Sequence, residues 1–225
     1  MAVSSYYLLI LQLLLSAVGS TPPEEPFTCV SANTNCTVTN AYGTFPDRSV
    51  CRAAKVVYPT NEVELVTAVA EATRIRQKMR VVTRFGHSIP KLACTDGEDG
   101  LLISTKFLNR TVSVDPNALT MTAESGLSLR QFIRDAAAVG MALPCGPYWW
   151  GSTVGGLLAT GSHGSTLRVN GSGIHDYVTE IRLISPGTVG EGFVKVRVLN
   201  YENYYPPMDF NAVMVSLGVL GVISQ

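Results

Sequence analysis

Two rhythms of apolar and polar positions alternate along the chain. Residues 55–58, Lys-Val-Val-Tyr, form a short β-type run ended by Pro59. Asn61 followed three positions later by Glu64 is the spacing of a capping box, so a helix is expected to start there. Val63, Val66, Val69 and Ala70 share one face of that helix, and the pattern runs out near Lys78. Val81 and Val82 mark a buried strand, and Arg84-Phe85-Gly86-His87-Ser88 after them reads as a loop. Leu101-Leu102-Ile103 is another strand. Residues 111–115 and 119–123 flank a Pro116-Asn117 turn, which predicts a hairpin. Ser128 with Gln131 repeats the capping spacing; the helix it opens turns Leu129, Phe132, Ile133 and Ala136 inward and stops at Gly140. Residues 181–184 and 194–198 read as later strands. Two strand–helix units, each followed by strands, predict an α+β domain in two lobes over residues 52–225.

The first 51 residues do not share this pattern. Residues 6–17 are apolar and uncharged, followed by small residues at Ala17, Gly19 and Ser20 and then by Pro22 and Pro23. This is the layout of a secretory signal peptide over residues 1–20, with cleavage expected after Gly19 or Ser20. The competing reading is an uncleaved membrane anchor, although the apolar run is short for a span of about 20 residues. Residues 21–51 are polar, rich in Thr, Asn and Pro, and read as an arm held by cysteines.

The cysteines and sequons agree with export. Cys29, Cys36 and Cys51 cluster near the expected mature N-terminus, with Cys94 and Cys145 further on, so at least one disulfide is expected and one thiol is left over. Asn35-Cys-Thr, Asn109-Arg-Thr and Asn170-Gly-Ser are N-glycosylation sequons. The protein is therefore expected to be a secreted glycoprotein, or a membrane-associated one if the leader is retained. No Cys-x-x-Cys occurs, and His87, His163 and His175 lie at no metal-ligand spacing to a cysteine, so no metal is expected. With 17 basic and 17 acidic residues the net charge is zero, which gives no electrostatic reason to bind nucleic acid. An apolar content of 46% is ample for a core.

One stretch stands apart in chemistry. From Gly146 to Leu167 there is no Asp, Glu, Lys or Arg, while Gly, Ser and Thr recur. Glycines let backbone N–H groups approach a diphosphate and hydroxyls add donors, so the stretch is a candidate nucleotide loop; a tightly packed glycine turn is the alternative. Gly156 to Gly161 has Walker spacing, but Ser162-His163 stands where Lys-Ser/Thr is required. No Gly-x-Gly-x-x-Gly is present, which removes the Rossmann fingerprint. Tyr148-Trp149-Trp150 reads equally as a ligand-stacking group or as core aromatics, and Cys145 as buried and inert.

Three segments in order carry a resemblance: Val82-Thr-Arg-Phe-Gly-His-Ser88, Thr153-Val-Gly-Gly-Leu-Leu-Ala-Thr-Gly-Ser-His-Gly164, and Ser216-Leu-Gly-Val-Leu-Gly-Val-Ile223. Together they resemble the PCMH-type FAD-binding domain of the vanillyl-alcohol-oxidase class of flavoproteins. Cys94-Thr-Asp-Gly and Lys106-Phe-Leu-Asn add a similarity to the sugar-1,4-lactone oxidases, above all the plant gulonolactone oxidases. The resemblance runs from about Cys29 to the last residue. It implies FAD, with Val82, Thr83, Arg84, Phe85, Gly86 and Ser88 around the diphosphate and flavin and His87 as the candidate for covalent attachment. It places Thr153, Gly155, Gly156, Thr160, Gly161, Ser162 and His163 along the diphosphate and ring, and Gly221 and Val222 at the adenine and ribose. At Arg84-Phe85 the chain departs from animal members, which carry glycines there. The implied reaction is oxidation of an aldono-1,4-lactone, L-gulono- or L-galactono-1,4-lactone, toward L-ascorbate, as in a D-arabinono-1,4-lactone oxidase. Molecular oxygen or another acceptor would take the electrons. The family pattern also includes a C-terminal domain that caps the flavin, so the catalytic residues are expected outside this chain. The alternatives are another FAD-linked alcohol or amine oxidase of the same fold, or an inactive secreted FAD-domain fragment.

Overall fold

The computed structural model describes residues 25–39, 49–84, 89–167, 171–200 and 208–225. Strands β1 (Phe27–Ser31) and β2 (Thr34–Val38) form an antiparallel hairpin with Cys29 opposite Cys36, and a disulfide joins that pair. β2 pairs in turn with β3 (Cys51–Val57). Much of the stretch expected as a polar arm is thus part of a sheet. Its composition hid this because only Phe27, Cys36 and Val38 face the core, while the positions between them are solvated.

Helix α1 (Glu62–Arg74) follows β3, and the cap is as the spacing predicts: Asn61 Oδ1 accepts from the Glu64 N–H at 3.0 Å. The helix ends earlier than the apolar pattern suggests, at a turn where Arg76 has φ +58° and Gln77 N–H closes on Ala72 O at 2.8 Å. Its buried face is Leu65, Val69 and Ala72, spaced i, i+4, i+7, whereas Val63 is 75% exposed. The inward face is therefore rotated from the expected one. Strand β4 (Met79–Val82), the short helix α2 (Pro90–Ala93) and β5 (Leu101–Ser104) complete the first lobe. The sheet order is β1-β2-β3-β5-β4, with β3, β5 and β4 parallel. All four residues of β5 are buried, as a strand covered on both faces requires. A second disulfide ties Cys51 on β3 to Cys94 after α2.

The hairpin of β6 (Thr111–Asp115) and β7 (Thr120–Ala123) forms as predicted. Helix α3 (Leu129–Ala138) is capped by Ser128, whose Oγ accepts from Gln131 N–H at 3.2 Å, and it closes at Gly140 with φ +78°. Leu129 and Ala136 are its buried residues; Phe132 and Ile133 are half-buried. The second lobe holds α4 (Val154–Ala159), β8 (Glu180–Pro186), β9 (Val194–Asn200), α5 (Met208–Met214) and β10 (Val222–Ile223), in an antiparallel sheet of order β10-β8-β9.

Helix α1 joins the lobes. Leu65, Val69 and Ala72 pack against Leu101 and Ile103 of the first sheet and against Ile184 and Val222 of the second. Burying each such aliphatic side chain contributes about 1.5–3 kcal/mol. A polar clamp sits at the same junction. Arg182 donates to Glu62 through Nε (2.6 Å) and Nη2 (2.7 Å), and Ser224 Oγ donates to Glu62 at 2.9 Å. The Arg182 bonds hold the Glu62 carboxyl below its ordinary value against a smaller opposing effect of burial.

Candidate cofactor site

A cavity of about 330 Å³ opens where the two lobes meet. Its first wall is the end of β4, Val81, Val82 and Thr83, with Leu92 and Ala93 of α2 beside it. Thr105, just after β5, and Ser125, just after β7, also line it. The opposite wall is the segment from Trp149 to Thr153 and the inner side of α4, Gly155, Gly156 and Ala159, continuing to Thr160 and Ser162. Leu217, Gly218 and Ile223 close it from the second lobe. No charged side chain lines the cavity among the described residues.

The glycine-rich stretch is at the cavity but is not the loop its composition suggests. Val154–Ala159 is a helical turn, capped by Thr153 Oγ1 accepting from Gly156 N–H at 3.2 Å. Val154 N–H donates to Leu127 O at 2.8 Å and Gly155 N–H to Ser125 O at 2.7 Å. These three backbone donors therefore serve the fold. Tertiary bonds to residues 125 and 127 hold in helical form a sequence whose glycines disfavour it. What the glycines contribute is close approach. A Cβ on Gly155 would stand 2.8 Å from Ser125 Cβ, and one on Gly156 3.0 Å from Thr153 Oγ1 and 3.3 Å from Thr83 Cγ2.

The remaining expected site residues divide. Val82, Thr83, Thr153, Gly155, Gly156, Thr160 and Ser162 meet at the cavity. Gly161 does not: it ends α4 with φ +62°, its N–H bonded to Leu158 O at 3.0 Å, and its vacant Cβ position faces Val215. His163 is exposed, bridged to Gly173, with Nδ1 3.3 Å from Gly164 O. Arg84 is half-buried beyond the cavity wall. Gly221 packs on β8, where a Cβ would stand 2.6 Å from Ile184 O, and Val222 is buried against α1. The strand alternation explains the last case: Val222 turns to the α1 core and Ile223 to the cavity side. Within the same motif, Leu217 and Gly218 reach the cavity instead. Phe85, Gly86, His87 and Ser88, and the sequon residue Asn170, lie outside the described residues. Of the aromatic trio only Trp149 lines the cavity; Tyr148 is fully exposed and Trp150 is 47% exposed. Cys145 is the one free cysteine, buried, its thiol donating to Ser172 O at 3.2 Å and pushed above its ordinary pKa by burial.

Two lining residues carry no sequence signal. Thr105 and Ser125 are both buried, and the Ser125 hydroxyl meets no hydrogen-bond partner among the described residues. Glu124 beside it is also buried, accepting from Arg110 N–H at 2.8 Å, Nε at 3.1 Å and Nη2 at 2.7 Å. The buried carboxylate fixes the backbone from which Ser125 enters the cavity.

These surroundings fit a flat ring carrying phosphates. Val81, Val82, Leu92, Leu217, Ile223 and the indole of Trp149 offer apolar wall to a ring, and the Ser and Thr hydroxyls offer donors to oxygen. A family model described as "FAD binding domain" matches residues 53–189. The chain belongs to this FAD-binding domain family. The chain is 66% identical over 206 residues to "Probable L-gulonolactone oxidase 6" of Arabidopsis thaliana, covering 92% of this chain and 34% of that protein. It is 63% identical over 223 residues to "L-gulonolactone oxidase 2" of the same plant, covering 99% and 37%. "L-gulono-1,4-lactone dehydrogenase" of Mycobacterium tuberculosis is 32% identical over 184 residues, covering 82% and 39%. The chain thus spans little more than a third of the length of these relatives. Among solved structures, the flavoenzyme CrmK of caerulomycin biosynthesis superposes with a TM-score of 0.62 at 18% identity, covering 86% of this chain and 39% of that one. At that identity the likeness is one of fold, and it agrees with the two-lobed α+β FAD domain the motifs predict.

Proposed function

We propose that this FAD domain is the flavin-holding part of an oxidase of aldono-1,4-lactones, converting L-gulono- or L-galactono-1,4-lactone toward L-ascorbate. The observation that carries the reading is the 66% identity over 92% of the chain to a relative named for L-gulonolactone oxidation. The cavity between the lobes supports it, because apolar wall and hydroxyls stand where three ordered motifs converge. The chemistry FAD supplies when bound is acceptance of two electrons from the carbinol C–H of the substrate. The chain's own residues would bind and orient it: Val81, Val82, Leu92 and Trp149 would line the ring, and the hydroxyls of Ser125, Thr153, Thr160 and Ser162 would hold the polar part. The lactone and molecular oxygen, or another electron acceptor, are the partners of this reading.

His87 is the proposed covalent anchor. It follows β4 by five residues, and β4 ends on the cavity wall. Export through the secretory pathway, with the leader removed after Gly19 or Ser20, belongs to the same proposal. Two disulfides support an oxidising compartment. Asn35 and Asn109 are exposed, as glycan acceptors must be. The test is direct. Full-length protein, purified from a secreting host, should be yellow, should consume oxygen or reduce an added acceptor with either lactone, and should keep its colour after acid precipitation unless His87 is replaced by Ala. A yellow protein active on alcohols or amines and not on lactones would overturn the substrate assignment. Colour lost from the parent on denaturation would overturn the covalent bond alone.

A further inference from the structure

We propose that the Ser125 hydroxyl is a ligand of the cofactor's diphosphate. This rests on the reading of the cavity as the FAD site and names a contact within it. Ser125 is 2% exposed, lines the cavity, and its Oγ is buried with no hydrogen-bond partner among the described residues. Such a hydroxyl is costly unless something bonds to it, since burying an unpaired polar group disfavours the fold. Its backbone is fixed on both sides. Ser125 N–H donates to Ser224 O at 3.0 Å, and its carbonyl accepts from Gly155 N–H at 2.7 Å. Gly155 on α4 packs close enough that a Cβ there would stand 2.8 Å from Ser125 Cβ. The hydroxyl is thus held at the cavity wall beside Gly155 and Gly156.

The state of the neighbouring donors sharpens the assignment. The N–H groups of residues 154, 155 and 156 are taken by Leu127 O, Ser125 O and Thr153 Oγ1. Thr160 Oγ1 donates to Gly156 O at 2.8 Å. Ser125 Oγ–H is therefore a donor in this part of the wall that the fold leaves unused. A phosphate oxygen is the acceptor that the cofactor brings to a wall with no cationic side chain among its described residues, and an O–H to a charged oxygen is among the stronger hydrogen bonds.

The experiment titrates full-length apoprotein with FAD, ADP and riboflavin, in a His87→Ala background so that no covalent bond drives binding to completion. Ligand fluorescence or calorimetry gives Kd, and the Tm of the ligand-free protein is measured alongside. Ser125→Ala should weaken FAD and ADP about tenfold, equal to about 1.4 kcal/mol, leave riboflavin unchanged, and leave the ligand-free Tm equal or raised. A purely structural hydroxyl would instead lower the ligand-free Tm. Unchanged FAD affinity, or a loss shared by riboflavin and not by ADP, overturns the diphosphate contact. If the Ser125-containing parent binds none of the three, the cavity reading itself fails and this proposal with it.

Discussion

Alanine at Gly156 and alanine at Gly161 should fail in opposite ways. Gly161 has φ +62°, and an L-residue in that region costs about 1–2 kcal/mol. The added Cβ would stand 3.2 Å from Val215 Cγ1, a contact that a small shift of one methyl relieves. For a chain of this length a loss of that size lowers Tm by about 2–8 °C. Gly161 faces away from the cavity, so flavin should be retained. Gly156 lies inside α4, outside the left-handed region. Alanine there gains about 1 kcal/mol of helix propensity, set against a Cβ 3.0 Å from Thr153 Oγ1 and 3.3 Å from Thr83 Cγ2. The two effects nearly cancel, so the ligand-free Tm should move by less than about 2 °C. The methyl nevertheless takes room on the cavity wall, and FAD affinity should fall at least tenfold, or about 1.4 kcal/mol. The assay is bound-flavin absorbance per protein and the Tm of flavin-stripped protein, measured side by side on full-length variants. Gly156→Ala with the parent's flavin content would refute the assignment of α4 as a cofactor wall. Gly161→Ala that sheds flavin at unchanged Tm would move the contact to the helix end.

Three further outcomes follow from the packing. The Glu62 carboxyl is held below its ordinary value by Arg182, so its contribution to stability is complete above the unfolded pKa of about 4.3 and is lost as pH falls through the lower folded value; Tm between pH 3 and 7 should therefore fall more steeply in acid for the parent than for Glu62→Gln, and parallel curves would refute the clamp. Arg110→Ala leaves the buried Glu124 carboxylate without its counter-charge and should cost about 3–5 kcal/mol in urea unfolding, more than Glu124→Ala, which leaves only the Arg110 N–H without its acceptor at about 1–3 kcal/mol; the reverse order would contradict it. Serine at both Cys51 and Cys94 opens a loop of 43 residues and should cost up to about 4 kcal/mol, against up to about 2 kcal/mol for the 7-residue loop of Cys29 and Cys36, read from chemical unfolding of the two double variants.

Local signals were legible in the sequence and tertiary ones were not. The caps at Asn61 and Ser128 were found because one side chain and one N–H three residues on decide them. β5 was found because a strand buried on both faces needs an unbroken apolar run. The β1–β2 hairpin was missed because its core contribution rests on Phe27, Cys36 and Val38 alone, and a disulfide supplies the rest. The glycine-rich stretch is legible as unusual chemistry, but its helix is not, since bonds to Ser125 and Leu127 create it. Gly218 and Gly221 both have positive φ and look alike in sequence; only the fold shows that a Cβ on Gly218 would stand 2.4 Å from Val81 Cγ1. Ser125 and Thr105 carry no pattern, as isolated hydroxyls never do. The nearest available clue was a Glu, expected outside, placed at the end of a hairpin and followed by Ser-Gly.

The bonds of Ser224 set an order of events for a chain made from one end. Glu62 waits for a partner 162 positions later, and Ser125 for the carbonyl of that same residue. At roughly 5–20 residues per second, the ribosome takes on the order of 10–30 s to deliver the second partner after the first. Until then α1 lacks its contact with Val222, and the Ser125 N–H lacks its acceptor. Of the residues that line the cavity, Ile223 on β10 is the last to be made, and it takes its place beside β8. A chain stalled before residue 222 would therefore keep most of the α1 core and lack the β10 edge of the cavity, which makes cofactor loading a late event on a nascent polypeptide.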